Sequence, residues 1–287
     1  MIDIDAELVR SLVREQFPQW GDLPVRPVPR QGWDNRTFRL GEDLSVRLPS
    51  AEGYVVGVEK EERSLPVLAA HLPLPVPEVV ATGLPGGGYP FPWSVRRWLP
   101  GDTVENTADI DRTKLARDLG GLLTALRKVP AERGPAAGRH SWFRGCHPSV
   151  YGDQVELALK QLGHEVDAAA CEAVWADALT SAWPHPPTWF HGDVAVGNLL
   201  AADGRLCAVI DFGTCGVGDP ACDLVMAWTY FGGDERPVFR QAAGLDDDTW
   251  RRARGWALWK ALVSMAGLSS PDPEGFQSRV LLRVLHD

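Results

Sequence analysis

The chain has 287 residues, 45% hydrophobic and 23% charged, with a formal net charge of −9. That length can bury one large core or divide between two, in a composition typical of a globular protein. The acidity excludes duplex nucleic acid as a general partner, since neutralising phosphates needs clustered Lys and Arg, and it suits a cationic small molecule instead.

The start, MIDIDAEL, has neither the cationic nor the apolar region of a signal peptide. Residues 256–268 are interrupted by Lys260 and are far too short for a bilayer span. Asp5 is a good N-cap, and Leu8, Val9, Leu12, Val13 and Phe17 follow at helical spacing, which predicts a helix that Pro18 closes. VRPVPRQGWDNRTFRLGEDLSVRLP places short apolar runs between turn residues at Gly32, Asp34-Asn35 and Gly41 to Asp43, and predicts consecutive antiparallel strands. Residues 58–71 predict a helix that Pro66 kinks or divides. LPLPVPEVVATG and YPFPWSVRRWLPG add two strands, with Pro75, Pro77, Pro90 and Pro92 at their starts, where a missing donor is tolerated.

From about Asp102 the character changes. Leu115, Leu119, Leu122, Leu123 and Leu126 lie on one helical stripe, and residues 130–148 read as a long loop. Helices are expected near 150–162 and 167–183, and several more after Pro220. The strand-like segments are TWFH, NLLAA and RLCAVIDF, the last two joined by Asp203-Gly204, a type I′ hairpin signal. A strand-rich portion thus meets a mostly helical one near residues 97–101, and a ligand cleft is expected at the join. The five cysteines, Cys146, Cys171, Cys207, Cys215 and Cys222, form no CxxC pair and read as reduced thiols of a cytoplasmic protein.

The chemistry concentrates in HGDVAVGNLLAADGRLCAVIDFGTCGVGDPACDL, residues 191–224. His191-Gly-Asp193, four residues, then Asn198 has the order and spacing HxDxxxxN, and Asp211-Phe-Gly213 follows beyond the hairpin. Phosphoryl transfer needs a carboxylate to accept the attacking hydroxyl's proton and oxygen ligands to hold Mg²⁺ against the phosphates. Mg²⁺ keeps water and phosphate oxygens around it, so one Asp and one Asn suffice. Alone, HGD is ordinary turn chemistry; in this order, with a hairpin between the motifs, the joint pattern is specific. Gly216-Val-Gly218-Asp-Pro-Ala221 also fits a dinucleotide fingerprint, but Asp219 would set a carboxylate beside a pyrophosphate and no βαβ unit follows. A hydrolase has no GxSxG elbow to rest on.

HGDVAVGN, VIDFG and GDPACDL together resemble the signature of the aminoglycoside phosphotransferase family, small-molecule kinases that share the protein-kinase fold. The resemblance covers most of the chain. It implies an α+β, protein-kinase-like bilobal fold, with an antiparallel-sheet N-lobe over residues 1–99 and a mainly helical C-lobe over 100–287. It also implies that Asp193 is the catalytic base, that Asn198 and Asp211 are the Mg²⁺ ligands, that Asp223 braces the catalytic loop, and that His191 is structural. In LSVRLP, Arg47 stands where the family has lysine; arginine keeps the charge but is longer and forked. Glu61 matches the family's partner glutamate, being four residues before Leu65 and so on the same helix face, with Glu62 in reserve. In the loop of residues 31–36, Gly32 and Asn35 let the backbone turn its N–H groups to phosphate. The purine edge is expected on the backbone of Arg97 to Leu99, which leaves ATP and GTP both open.

For the acceptor, the C-lobe helices carry Asp153, Glu156, Glu165, Asp167, Asp234, Glu235 and Asp246 to Asp248, acids that could bind ammonium groups. Trp228, Trp250, Trp256 and Trp259 could line a cation–π pocket, although the helical spacing of Trp256 with Trp259 favours core. The expected protein is a cytoplasmic, monomeric kinase moving the γ-phosphate of ATP or GTP onto a hydroxyl of an aminoglycoside-like compound. A macrolide, choline or sugar acceptor, or a catalytically weak nucleotide-binding pseudokinase, are the alternatives; neither nucleic acid nor membrane is an expected partner.

Overall fold

Asp5 accepts hydrogen bonds from the Glu7 and Leu8 N–H groups (2.9 and 2.8 Å) and so begins helix α1 (Ala6–Gln16), with Pro18 just beyond its end. The computed structural model describes residues 3–32, 34–269, 272 and 274–287; Trp33, within the expected phosphate loop, lies outside the described residues. After α1 come strands β1 (Val25–Pro27), β2 (Asn35–Leu40) and β3 (Leu44–Pro49), then helix α2 (Val55–Ala69) and strands β4 (Val79–Gly83) and β5 (Trp93–Arg97). The five strands form an antiparallel sheet in the order β1-β2-β3-β5-β4.

The two-residue period of a strand divides this sheet chemically. Leu44, Val46 and Leu48 of β3 and Trp93 and Val95 of β5 pack with Val9, Leu12 and Val13 of α1 in one apolar core. The intervening residues Ser45 and Arg47, paired in register with Arg96 and Ser94, lie on the opposite face, where Arg47 meets Glu61 of α2 and Asp211. The polar positions of LSVRLP and WSVRR are therefore the ones that build the site.

α2 runs through Pro66 as one helix, where a kink or a division was expected. The proline sits in the last turn, so only the bond to the Glu62 carbonyl is forfeited, and burial of Leu65 and Leu68 on either side holds the helix together.

The second half is mainly helical. It contains β6 (Asp102–Thr103), α3 (Arg112–Arg127), α4 (Gly152–Leu162), α5 (Ala168–Ala178), β7 (Thr188–Phe190), β8 (Leu199–Ala202), β9 (Arg205–Val209), β10 (Gly216–Gly218), α6 (Met226–Thr229), α7 (Glu235–Ala243), α8 (Asp247–Met265) and α9 (Phe276–Leu285). The leucine stripe of α3 is buried as its spacing requires, in a second core with Trp228, Trp250, Trp256 and Trp259. α5 stops at Ala178, short of the expected 183, because Ser181 is drawn away: its carbonyl meets His147 Nε2 at 3.1 Å and its hydroxyl accepts from Arg252 Nη1 at 2.8 Å. β6 and β10 were not legible as strands; each is a short edge, on β8 and β7 respectively.

The architecture is thus α+β, a sheet-based half and a helical half, each with its own apolar core. Among the described residues no helix is long and apolar enough to cross a membrane, and all five cysteines are free thiols.

Candidate active site

The β8–β9 hairpin brings the two halves of the motif together. Asp203 and Gly204 both take positive φ (51° and 72°), the I′ geometry their sequence announces. Leu199 pairs with Val209, and Ile210 N–H donates to the Asn198 carbonyl at 2.9 Å, so Asn198 and Asp211 stand at the same end of adjacent strands. Asp211 itself adopts φ 66°, a left-handed conformation uncommon for a residue with a side chain.

The preceding loop is braced from below. Asp223, buried, accepts from the His191 and Gly192 N–H groups at 2.8 and 2.7 Å. Burial pushes the Asp223 carboxyl up, while His191 and these two donors draw it back. Gly192 has φ 84°, and a Cβ there would lie 2.9 Å from the Thr214 carbonyl oxygen, so both conformation and space demand glycine. His191 Nε2 donates to the Ile210 carbonyl (3.0 Å) and its Nδ1 accepts from Asp193 N–H (3.2 Å). Both ring nitrogens are thus occupied by backbone groups of the loop and of the strand end.

At the tip, Asn198 Nδ2 donates to the Asp193 carbonyl and carboxylate Oδ2, each at 2.9 Å. This orients the Asp193 carboxylate and leaves the Asn198 amide oxygen for another partner. Asn198 and Asp211 offer hard oxygen donors from two residues, which fits Mg²⁺, an ion that completes its octahedron with phosphate and water. Among the described residues no three His, Cys, Asp or Glu side chains cluster as a metal cage.

From β3, Arg47 holds several partners at once. Its Nη1 donates to Glu61 Oε1 at 3.1 Å and its Nη2 to Asp211 Oδ1. The Asn35 amide, oriented by its surroundings, accepts from Arg47 Nε at 3.3 Å and Nη2 at 3.1 Å. Of the three candidate glutamates, Glu61 alone is buried; Glu59 pairs with Arg63, and Glu62 is exposed. Glu61 also takes a second arginine: Arg96 Nη2 reaches Oε2 at 2.8 Å and Nη1 reaches Oε1 at 3.2 Å. Burial would raise the Glu61 carboxyl, but the Arg96 and Arg47 charges bring it down to about 2. Burial works against the charge on Arg47 too, and Asp211 and Glu61 reverse that, holding it firmly protonated.

Asp34, which the sequence suggested only as a turn residue, lies in this constellation. Burial, then the negative charges of Asp211 and Asp193, raise its carboxyl to about 6, against Arg47 and a hydrogen bond from Tyr54. Beside Glu61, Lys60 Nζ donates to the His140 carbonyl at 2.9 Å and lies 3.2 Å from His140 Nδ1, joining α2 to the loop of residues 130–148. Below the loop of residues 191–198, Asp219 accepts from Arg252 Nε at 2.6 Å, both side chains buried. Arg96, Lys60 and the Asp219–Arg252 pair carried no local signal, since each acquires its role from a partner far along the chain.

The remaining expected residues occupy the rim. The Gly32 carbonyl accepts from Arg36 Nη1 at 2.7 Å. Arg97 N–H donates to the Glu78 carbonyl (2.9 Å) and Trp98 N–H to that of Asp43 (2.8 Å). Among the described residues the Leu99 N–H has no such partner.

Comparison with known proteins follows the same lines. The family model described as "Phosphotransferase enzyme family" matches residues 25–256. The GDP complex of aminoglycoside 2'-phosphotransferase-IIIa superposes with a TM-score of 0.71 at 18% identity, covering 99% of this chain and 98% of that one. The streptomycin–ATP–APH(2")-IIa ternary complex gives 0.63 at 17% identity, over 100% and 98% of the two chains. Macrolide 2'-phosphotransferase MphH from Brachybacterium faecium gives 0.64 at 24% identity, over 98% and 97%. Among curated proteins no relative matches the sequence.

Proposed function

Because the chain belongs to the phosphotransferase enzyme family, we propose that it transfers the γ-phosphoryl group of ATP or GTP to a hydroxyl of a small molecule, of the kind that aminoglycosides and macrolides present. The observation that carries this reading is the approach of Asp193, Asn198 and Asp211 at one edge of the cleft, with Arg47 opposite. In it, Asp193 accepts the proton of the acceptor hydroxyl as the new O–P bond forms, the bond from the γ-phosphorus to the bridging oxygen breaks, and the nucleoside diphosphate leaves. Asn198 and Asp211 hold Mg²⁺, which when bound neutralises phosphate charge. Arg47 supplies a further positive charge to the phosphates, Gly32 and Asn35 belong to the loop above them, and Leu99 N–H together with the Arg97 backbone receives the purine. Asp223 and His191 fix the catalytic loop.

The division into residues 1–99 and 100–287 belongs to this reading, as does a cytoplasmic location, which the free thiols favour. Solved relatives named as GDP, ATP and streptomycin complexes support a nucleotide donor and a small-molecule acceptor. A pseudokinase would rest on the Arg47 substitution alone.

The test is nucleoside diphosphate release with Mg²⁺ and ATP or GTP, run against a panel of hydroxyl compounds, with Asp193→Asn as control. Release that depends on an acceptor and disappears in the variant is the expected result. Failure of both nucleotides to bind would refute the reading.

A further inference from the structure

The acids expected to receive an aminoglycoside are largely committed elsewhere. Asp167 and Asp246 cap α5 and α8, accepting from Ala170 and Thr249 N–H groups at 3.0 and 2.8 Å. Glu235 pairs with Arg112, Asp247 with Arg240 and Asp248 with Arg251. Asp153 and Glu156 are exposed on α4.

The wall that borders the catalytic loop has a different chemistry. Trp142 and Phe143 are consecutive residues with positive φ (49° and 55°), yet 50% and 37% exposed. Two adjacent aromatic residues held in left-handed conformations are costly, and burial that covers only part of each ring offsets this incompletely, a pattern met at ligand sites. Trp142 lies 6.2 Å from the ring of Tyr54, which hydrogen-bonds Asp34. Phe143 meets Tyr151 edge-on at 6.3 Å, and Tyr151 stacks on Trp259 at 4.1 Å. These contacts make a continuous apolar surface.

Its charges are positive. Arg144 lies over the rings of Trp259 and Trp256, at 4.6 and 5.1 Å from their centroids. Lys260, on the same helix as both tryptophans, lies within range of the positive charge of Arg144 and the negative charge of Asp193, the proposed catalytic base. Among the described residues neither cation has a carboxylate within ion-pair distance. Lys260 Nζ donates to Ser269 Oγ at 2.7 Å and keeps further N–H groups for acceptor oxygens, whereas a ligand bristling with ammonium groups offers only more donors and more positive charge.

Resting on the kinase reading, we infer that the acceptor is a hydroxyl compound with a broad apolar face and oxygen acceptors, carrying at most one positive charge, and that Arg144 and Lys260 select against polycations. Trp142 and Phe143 form the rim that its apolar face covers, and Tyr151 over Trp259 forms the floor.

The test is titration calorimetry of the full chain, with Mg²⁺ and a non-hydrolysable ATP analogue, against kanamycin, erythromycin and cholate. Erythromycin and cholate are each expected to bind more tightly than kanamycin. Trp142→Ala should weaken both about fivefold, the worth of one aromatic contact. Lys260→Glu should narrow the gap in favour of kanamycin. Kanamycin matching or exceeding either apolar probe, or silence towards all three, would overturn the assignment while leaving the kinase reading intact if the analogue binds. Failure of the analogue itself to bind would remove both.

Discussion

Arg47 of β3 donates to Asp211 across the cleft, so the cation proposed to meet the phosphates holds the carboxylate proposed to meet the metal. A lysine at that strand position could still meet Glu61, but its single ammonium would not span Asp211, Glu61 and Asn35 together as the forked guanidinium does. Arg47→Lys is therefore expected to keep the charge but lose about 1 kcal/mol of stability with the bridging bonds. Arg47→Met should lower kcat/KM about a hundredfold, as expected for removing one preorganised cation from a phosphoryl-transfer site. Glu61 keeps Arg96 in either variant, so the fold should survive. Urea unfolding beside steady-state kinetics separates the two effects; equal kinetics in Arg47→Met and the parent would contradict the assignment.

The buried pair of Asp219 and Arg252 sets a second expectation. Arg252→Met leaves a buried carboxylate uncompensated and should cost about 3–5 kcal/mol. Asp219→Asn with Arg252→Met removes both charges, and should recover a large part of that loss. A double-mutant cycle by chemical denaturation measures the coupling; simple additivity would show that the two do not act as a pair.

Glu61 should make the protein acid-sensitive. Its carboxyl falls from the ordinary 4.5 to about 2, despite burial, under the Arg96 and Arg47 charges. A depressed carboxyl stabilises the fold fully above the unfolded value, and that contribution drains away as pH falls from about 4.5 to about 2. It amounts to roughly 3 kcal/mol. Stability measured down this range should drop steeply in the parent and less steeply in Glu61→Gln, which starts lower at neutral pH because Arg96 is left without its anion.

Asp34 has the opposite sign. Burial and the charges of Asp211 and Asp193 raise it from 3.8 to about 6, so the folded chain holds a proton that the unfolded chain releases. Stability from this residue accordingly declines as pH rises from 3.8 to about 6 and is level beyond. Asp34→Asn should be no more stable than the parent below this window and more stable above it. Unfolding at both ends of the window checks this; a constant difference would mean that ionisation of Asp34 is not involved.

What could be read from the sequence was whatever local periodicity or turn chemistry dictates. Asp5, Asp203-Gly204 and the leucines of α3 declare themselves through spacing and φ requirements, and Glu61 was distinguished from Glu59 and Glu62 by its distance from Leu65. Arg96 could not be recognised because Arg96 and Arg97 are chemically identical neighbours on one strand. Only the pleat, set by pairing with β3, buries the first and exposes the second. Trp142 and Phe143 were hidden for another reason: residues 130–148 have no periodicity, so nothing local reports a loop whose shape comes from the surfaces around it.

The contacts between Arg30 and Glu105, Arg47 and Asp211, and Lys60 and His140 all run one way: the sheet half extends a cation and the helical half answers with oxygen. They also differ in depth. Arg30 is mostly exposed, Arg47 largely sheltered and Lys60 buried. Ionic strength therefore acts on them in sequence, loosening the outermost first because only there does solvent screen the pair. The two halves are fastened like a garment closed by several hooks, and the mouth can slacken at Arg30 while α2 stays pinned at its root.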